Sequence, residues 1–182
     1  MSELSEKRIG RKEIYDGHIV HLVCDEVVLP NGKTAPREVC LHKGAVAVVP
    51  ITDDGKILME RQFRYAHDRV FLEIPAGKLD SEDEVPLDAA VRELREETGA
   101  RARSITPLGR LIPSPAILSE VIHLFLAEGL TFGERELDED EFLDVVPMEL
   151  DELYGMVMRG EIEDAKTQIA IMKVYGLKRL AK

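Results

Sequence analysis

Apolar residues run almost without interruption from Gly44 to Thr52, GAVAVVPIT, the pattern of a strand buried on both faces. Asp53-Asp54-Gly55 supplies turn chemistry and leads into a second strand at 56–65, KILMERQFRY. Upstream, residues 18–29, HIVHLVCDEVVL, are rich in β-branched and apolar side chains, and residues 37–42 read as a return strand. Pro30-Asn31-Gly32 joins them, since Asn-Gly accepts the positive φ of tight hairpins. The N-terminal forty residues are therefore expected to form a β-meander. FLEI, residues 71–74, is a short strand before Pro75-Ala76-Gly77 and an acidic loop that runs to Glu84.

The period changes at Pro86. Leu87, Ala90, Val91 and Leu94 recur at helical spacing, Pro86 suits a first turn, and Gly99 is a natural stop. This predicts a helix over 86–98 that buries those four apolar residues as one stripe, with Glu93, Glu96 and Glu97 lying off it. Strands are expected at 105–112, 121–127 and 142–147, with an acidic loop at 133–141. Closing helices are expected at 149–159 and 164–180, the second capped by Asp164. The pattern is mixed α/β, without internal repeats and with strands outnumbering helices.

At 182 residues and 45% hydrophobic content the chain suits one compact domain, or one domain with a small extension. A formal charge of −11 opposes binding to nucleic-acid backbones, so no nucleic-acid partner is expected. An anionic small molecule is still accessible where bound cations reverse the local field. No apolar run reaches the roughly eighteen residues of a membrane span, and the N-terminus carries no apolar stretch after its basic residues. Cys24 and Cys40 are too few for a disulfide framework and fit a reduced, cytoplasmic setting. His18, His21, Cys24, Cys40 and His42 lie close in sequence, but they lack a C-x-x-C knuckle and fall in strand-like runs that scatter side chains over both faces.

Candidate chemistry concentrates on the 86–98 helix. At about 100° per residue, Glu93 and Glu97 project one turn apart with Glu96 beside them. Like charges at i,i+4 cost about 0.2–0.5 kcal/mol in an isolated helix, a penalty that a hard divalent cation removes. Taken alone, the cluster also reads as a solvated face with Asp88/Arg92 and Arg92/Glu96 ion pairs.

The flanking glycines shift the balance between these readings. Gly77, six residues, Glu84, seven residues, then Arg92-Glu93-Leu94-Arg95-Glu96-Glu97-Thr98-Gly99-Ala100 resembles the box of the Nudix hydrolase family, with one extra residue between Gly77 and Glu84. That insertion leaves Asp83 and Glu84 as alternatives for the role of the first glutamate. The resemblance implies a Nudix α/β/α sandwich with a mixed sheet, preceded by a small N-terminal β-meander. It implies Mg²⁺ or Mn²⁺ held by Glu93, Glu97, Glu96 and the Ala76 carbonyl, with Arg92 orienting the glutamates and Gly77 and Gly99 allowing the turns. Glu84 then either contacts the metal through water or braces Arg92.

Outside the box, Pro115, sixteen residues beyond Gly99, together with GAVAVVP, QFRY, FLEIPAGK, SPAILSEVIHLFLA and GEIEDAKTQIAI, resembles the ADP-ribose pyrophosphatase subfamily. That resemblance covers residues 37–175 and implies hydrolysis of a nucleoside diphosphate sugar, ADP-ribose, to AMP and ribose 5-phosphate. It also implies a water-activating carboxylate in the DEDEF loop, Glu141 ahead of Glu139, and a substrate arginine at Arg64. Arg37 and Glu38 are candidates for the adenosine end. Residues 1–42 are expected to form a dimerising meander and residues 43–182 the hydrolase domain, giving a homodimer. The competing readings are hydrolysis of another nucleoside diphosphate derivative, such as another ADP-sugar, NADH or a dinucleoside polyphosphate, and a non-catalytic ADP-ribose sensor.

Overall fold

The structure, a computed structural model, describes residues 4–137, 139 and 141–180. The ends of the two expected domains, 1–3 and 181–182, and Asp138 and Asp140 of the acidic loop lie outside the described residues. The chain divides into two compact units, one holding the N-terminal residues through Gly44 with Ile112–Val121, the other Ala45–Leu111 with Ile122–Lys182.

The first unit is a three-stranded antiparallel sheet of β1 (Lys7–Asp16), β2 (His21–Val28) and β3 (Thr34–Leu41), in the order β1-β2-β3. Strand β2 turns Val23, Asp25 and Val27 inward at the period of two that a half-buried strand requires. Asp25 is buried but charged, because Arg11 grips both its oxygens at 2.6 and 2.7 Å. The loop carrying Pro115 belongs to this unit: Cys40 N–H donates to the Ile117 carbonyl at 2.8 Å, and Ser119 N–H donates to the Cys40 carbonyl at 3.1 Å.

The second unit is an α/β/α sandwich. Its seven-stranded sheet runs β10 (Leu143–Glu149), β5 (Lys56–Arg64), β4 (Ala45–Ile51), β9 (Ile122–Phe132), β8 (Ala100–Leu111), with β6 (Arg69–Glu73) on β5 and β7 (Ala76–Lys78) on β4. The β4–β9 pair is parallel and the remaining pairs are antiparallel, so the sheet is mixed. All of β4 is buried, as its continuous apolar run predicts. Its alternate residues feed two cores. Ala45, Val49 and Ile51 pack with Leu153 and Val157 of α2 (Leu150–Met158) and Ile171 and Val174 of α3 (Ala165–Leu180). Val46 and Val48 pack with Ala89, Ala90 and Leu94 of α1 (Pro86–Thr98).

Strands β8 and β9 extend beyond the expected 105–112 and 121–127, because their ladder continues past the apolar stretch to Ala100 opposite Phe132. Asp164 caps α3 as expected, accepting from the Thr167 N–H at 2.9 Å.

One expectation is overturned on α1. Leu87 and Val91 are 43% and 49% exposed, whereas Glu93 and Glu97 are only 8% and 2% exposed. The inward face combines Ala89, Ala90 and Leu94 with two glutamates, so the carboxylates lie on the buried side and not off it. Burying ionisable groups is costly unless something compensates the charge, and this places the rotation of α1 at the centre of the site.

Candidate active site

Local geometry fixes α1 at both ends. Pro86 occupies the first turn, where a missing N–H costs nothing, and Gly99 takes φ +71° while its N–H closes the helix on the Arg95 carbonyl at 2.8 Å. A side chain at Gly99 would also approach the Gly133 carbonyl oxygen to 2.6 Å, so space and backbone both demand glycine.

The helix presents its carboxylates to β7. Ala76 N–H donates to Glu97 Oε2 at 3.0 Å. Burial pushes the Glu97 carboxyl far above the usual carboxylate range, and the charges of Glu60, Glu93 and Glu141 push it further. Glu93 is raised to about 7, chiefly by burial, with the adjoining Arg92 opposing the shift. Glu96, half-buried, faces Arg92 at 3.4 Å and Arg95 at 3.3 Å.

Arg92 is the hub that holds the segment together. It reaches Glu93 at 2.7 Å, the Lys78 carbonyl at 3.2 Å and Glu84 at 3.3 Å. Burial alone would lower its guanidinium, but the charges of Glu93, Asp80 and Glu84 more than offset this and leave it raised. Glu84 also accepts from the Asp80 N–H at 2.6 Å. Of the two alternatives at the inserted position, Glu84 is the one that braces Arg92.

Sequence reasoning missed Glu60. It lies on β5 two residues beyond Leu58, whose side chain joins the α1-facing core, and is only 3% exposed. Among the described residues its Oε1 is buried without a hydrogen-bond partner. Burial raises its carboxyl strongly, and Glu141 and then Glu73 reinforce that rise. An acid interrupting the apolar run ILME was the available signal.

Glu141, half-buried ahead of β10, lies within electrostatic reach of Glu60, Glu93 and Glu97, whereas Glu139 is exposed. Beside Glu141 opens a groove of about 390 Å³ lined by Arg61, Phe63, Val70 and Phe142. Arg64, at the end of β5, makes a two-pronged ion pair with Glu73, both contacts at 2.8 Å. Arg37 and Glu38 belong to the N-terminal unit, where Arg37 pairs with Glu6 at 2.6 Å and Glu38 is exposed.

The structure thus brings Ala76, Glu93 and Glu97 together, adds Glu60 and Glu141, and turns Glu96 toward arginines. Among the described residues no three His, Cys, Asp or Glu side chains form a finished metal cage. The donor set fits a hard divalent cation all the same. It consists of carboxylate oxygens that repel one another, one of them orphaned, and such cations keep waters and substrate oxygens in their coordination shell.

Residues 41–169 match the NUDIX domain, and residues 6–40 match the nucleoside diphosphate sugar hydrolase N-terminal domain. The chain is 46% identical to an ADP-ribose pyrophosphatase of Bacillus subtilis (strain 168), over 94% of this chain and 93% of that one. It is 43% identical to a methanol dehydrogenase activator of Bacillus methanolicus, over 91% and 90% of the two chains. A crystal structure of an ADP compounds hydrolase superposes with a TM-score of 0.85 at 23% identity, covering 98% of this chain and 97% of that one, which establishes the shared fold. With Glu93 and Glu97 of the box on the buried face of α1 and the domain match spanning most of its length, the chain belongs to the NUDIX family of hydrolases.

Proposed function

We propose that the protein hydrolyses ADP-ribose to AMP and ribose 5-phosphate. The observation that carries this reading is the 46% identity to the Bacillus subtilis ADP-ribose pyrophosphatase, over 94% of this chain, in a chain that keeps every box carboxylate. NUDIX hydrolases generally use divalent metal ions. In our reading Glu93 and Glu97 are the principal ligands of Mg²⁺ or Mn²⁺, with Glu96 and the Ala76 carbonyl as further ligands. A cation held there would supply Lewis-acid neutralisation of the diphosphate oxygens. Arg92 keeps Glu93 in place through their 2.7 Å contact and is itself fixed by Glu84 and the Lys78 carbonyl.

Glu141 is the proposed base, with Glu139 second: its nearness to the other carboxylates supports its place at the reacting centre. It takes a proton from water as the water oxygen attacks one phosphorus, and the bond from that phosphorus to the bridging oxygen breaks, leaving one phosphate on each product. Arg64 is assigned to the diphosphate or the ribose, since its side chain is 41% exposed while Glu73 fixes its direction. Arg37 and Glu38 are assigned to the adenosine end. Residues 1–42 are proposed as the dimerising meander of a cytoplasmic homodimer and residues 43–182 as the hydrolase domain. Sedimentation at the mass of one 20.4 kDa chain would count against the dimer.

A second reading, hydrolysis of a different nucleoside diphosphate sugar, is favoured by one observation: other relatives are named GDP-mannose pyrophosphatase, including one from Yersinia enterocolitica at 32% identity. Steady-state kinetics on a panel of ADP-ribose, ADP-glucose, GDP-mannose, NADH and diadenosine polyphosphates separates the two. The first reading expects the highest kcat/KM on ADP-ribose, and a higher value on any other compound replaces it with the second.

A further inference from the structure

Two cations converge on one buried carboxylate next to the site. Glu73 ends β6 and is 3% exposed. Arg64 holds it from β5 with Nε on Oε1 and Nη2 on Oε2, each at 2.8 Å. Lys166, in the first turn of α3, donates to the same Oε2. The two cations differ in access: Arg64 keeps 41% of its side chain in solvent, Lys166 only 12%.

Lys166 is itself fixed. Asp164 faces it at 3.1 Å while also accepting from the Thr167 N–H, and the Thr167 hydroxyl accepts from the Ile74 N–H at 3.0 Å, one residue beyond Glu73. The start of α3 is thereby tied to the end of β6 by a charged and a neutral contact. A buried carboxylate with one partner binds that partner tightly and cannot release it without becoming an unpaired charge. With two partners, the accessible one is released at much lower cost.

We propose that Lys166 is a positioning residue for substrate binding: it aligns Glu73 so that Arg64 points to solvent, and it stays behind as the counter-charge of Glu73 when Arg64 engages the substrate diphosphate. This rests on the reading of Arg64 as a substrate contact. Lys166 touches no substrate and acts only through Glu73 and Arg64. Its removal therefore strengthens the hold of Glu73 on Arg64 and weakens binding, leaving the chemical step largely alone.

The test is steady-state kinetics on ADP-ribose for Arg64→Met, Lys166→Met and Lys166→Arg, each with a melting curve. Lys166→Met should raise KM about tenfold with kcat within about threefold, and Lys166→Arg should restore KM to within about threefold of wild type. A wild-type KM in Arg64→Met overturns the reading of Arg64. A raised KM in Arg64→Met beside a wild-type KM in Lys166→Met overturns the role of Lys166 alone. Glu73→Gln removes the charge both cations share, so adding Lys166→Met to it should leave KM unchanged. This comparison stands even where Lys166→Met alone fails to fold, and a further rise in KM in the double variant contradicts the proposal.

Discussion

The carboxylate of Glu93 occupies the space a side chain at Gly77 would need: a Cβ built on Gly77 falls 2.0 Å from Glu93 Cδ and Oε1. The φ of Gly77 is not in the left-handed region, so the constraint is space and not backbone conformation. Glycine at the start of the box therefore serves the glutamate sixteen positions later. Gly77→Ala should displace Glu93 and lower kcat by at least about tenfold. Turnover of the variant at saturating metal checks this, and a wild-type rate would mean that the Glu93 position is immaterial.

Glu93 and Glu97 are each buried among other negative groups. Glu93→Gln and Glu97→Gln should each reduce turnover at least about 10²-fold, the scale of removing a main electrostatic stabiliser of the transition state. Both should also raise the metal concentration needed for half-maximal activity. Metal titrations of the two variants provide the readout, and an unchanged midpoint would remove them from the ligand set.

The two acids of the 139–141 loop are separated by their surroundings. Glu141 is within electrostatic reach of Glu60, Glu93 and Glu97, and Glu139 is exposed. Glu141→Gln is expected to cost about 10²-fold in kcat, and Glu139→Gln less than about threefold. The reverse order would move the base to Glu139.

The raised carboxylates also set a pH dependence of stability. Glu93 at about 7, with Glu60 and Glu97 above the ordinary range, retains protons in the folded state that the unfolded chain releases above its ordinary value of 4.5. Their contribution to stability is complete below that value and is lost as pH rises through the folded values. Asp25, held low by Arg11, acts in the opposite sense but only below the ordinary carboxylate range. Without metal, the melting temperature should therefore fall between about pH 5 and about pH 8, and added Mg²⁺ should raise it more at the upper end, where the carboxylates are free to bind it. Calorimetry at the two pH values checks the sign, and an equal metal effect at both would contradict it.

Much of the fold is legible because local pattern and tertiary environment agree. The run GAVAVVP is buried throughout in β4, and the Pro86 and Gly99 punctuation bounds α1. Strand β1 had no such signal: KRIGRKEIYD is polar and almost wholly exposed, paired with β2 through its backbone. On α1 the apolar residues Leu87 and Val91 gave a misleading stripe, since the inward face accepts Glu93 and Glu97 at a cost that ordinary packing would not tolerate. Glu73 and Lys166 are 93 residues apart, so no local spacing exposes their pairing. Glu60 was visible only as an acid within an apolar run, and its meaning depends on α1 lying over that face of the sheet.

The most direct measurement is the initial rate of AMP release from ADP-ribose by the wild-type protein, with Mg²⁺ and after chelation. AMP and ribose 5-phosphate are expected in equal amounts, with release abolished by the chelator and recovered on adding metal back. Intact ADP-ribose in the presence of Mg²⁺, or release that persists under chelation, would contradict it.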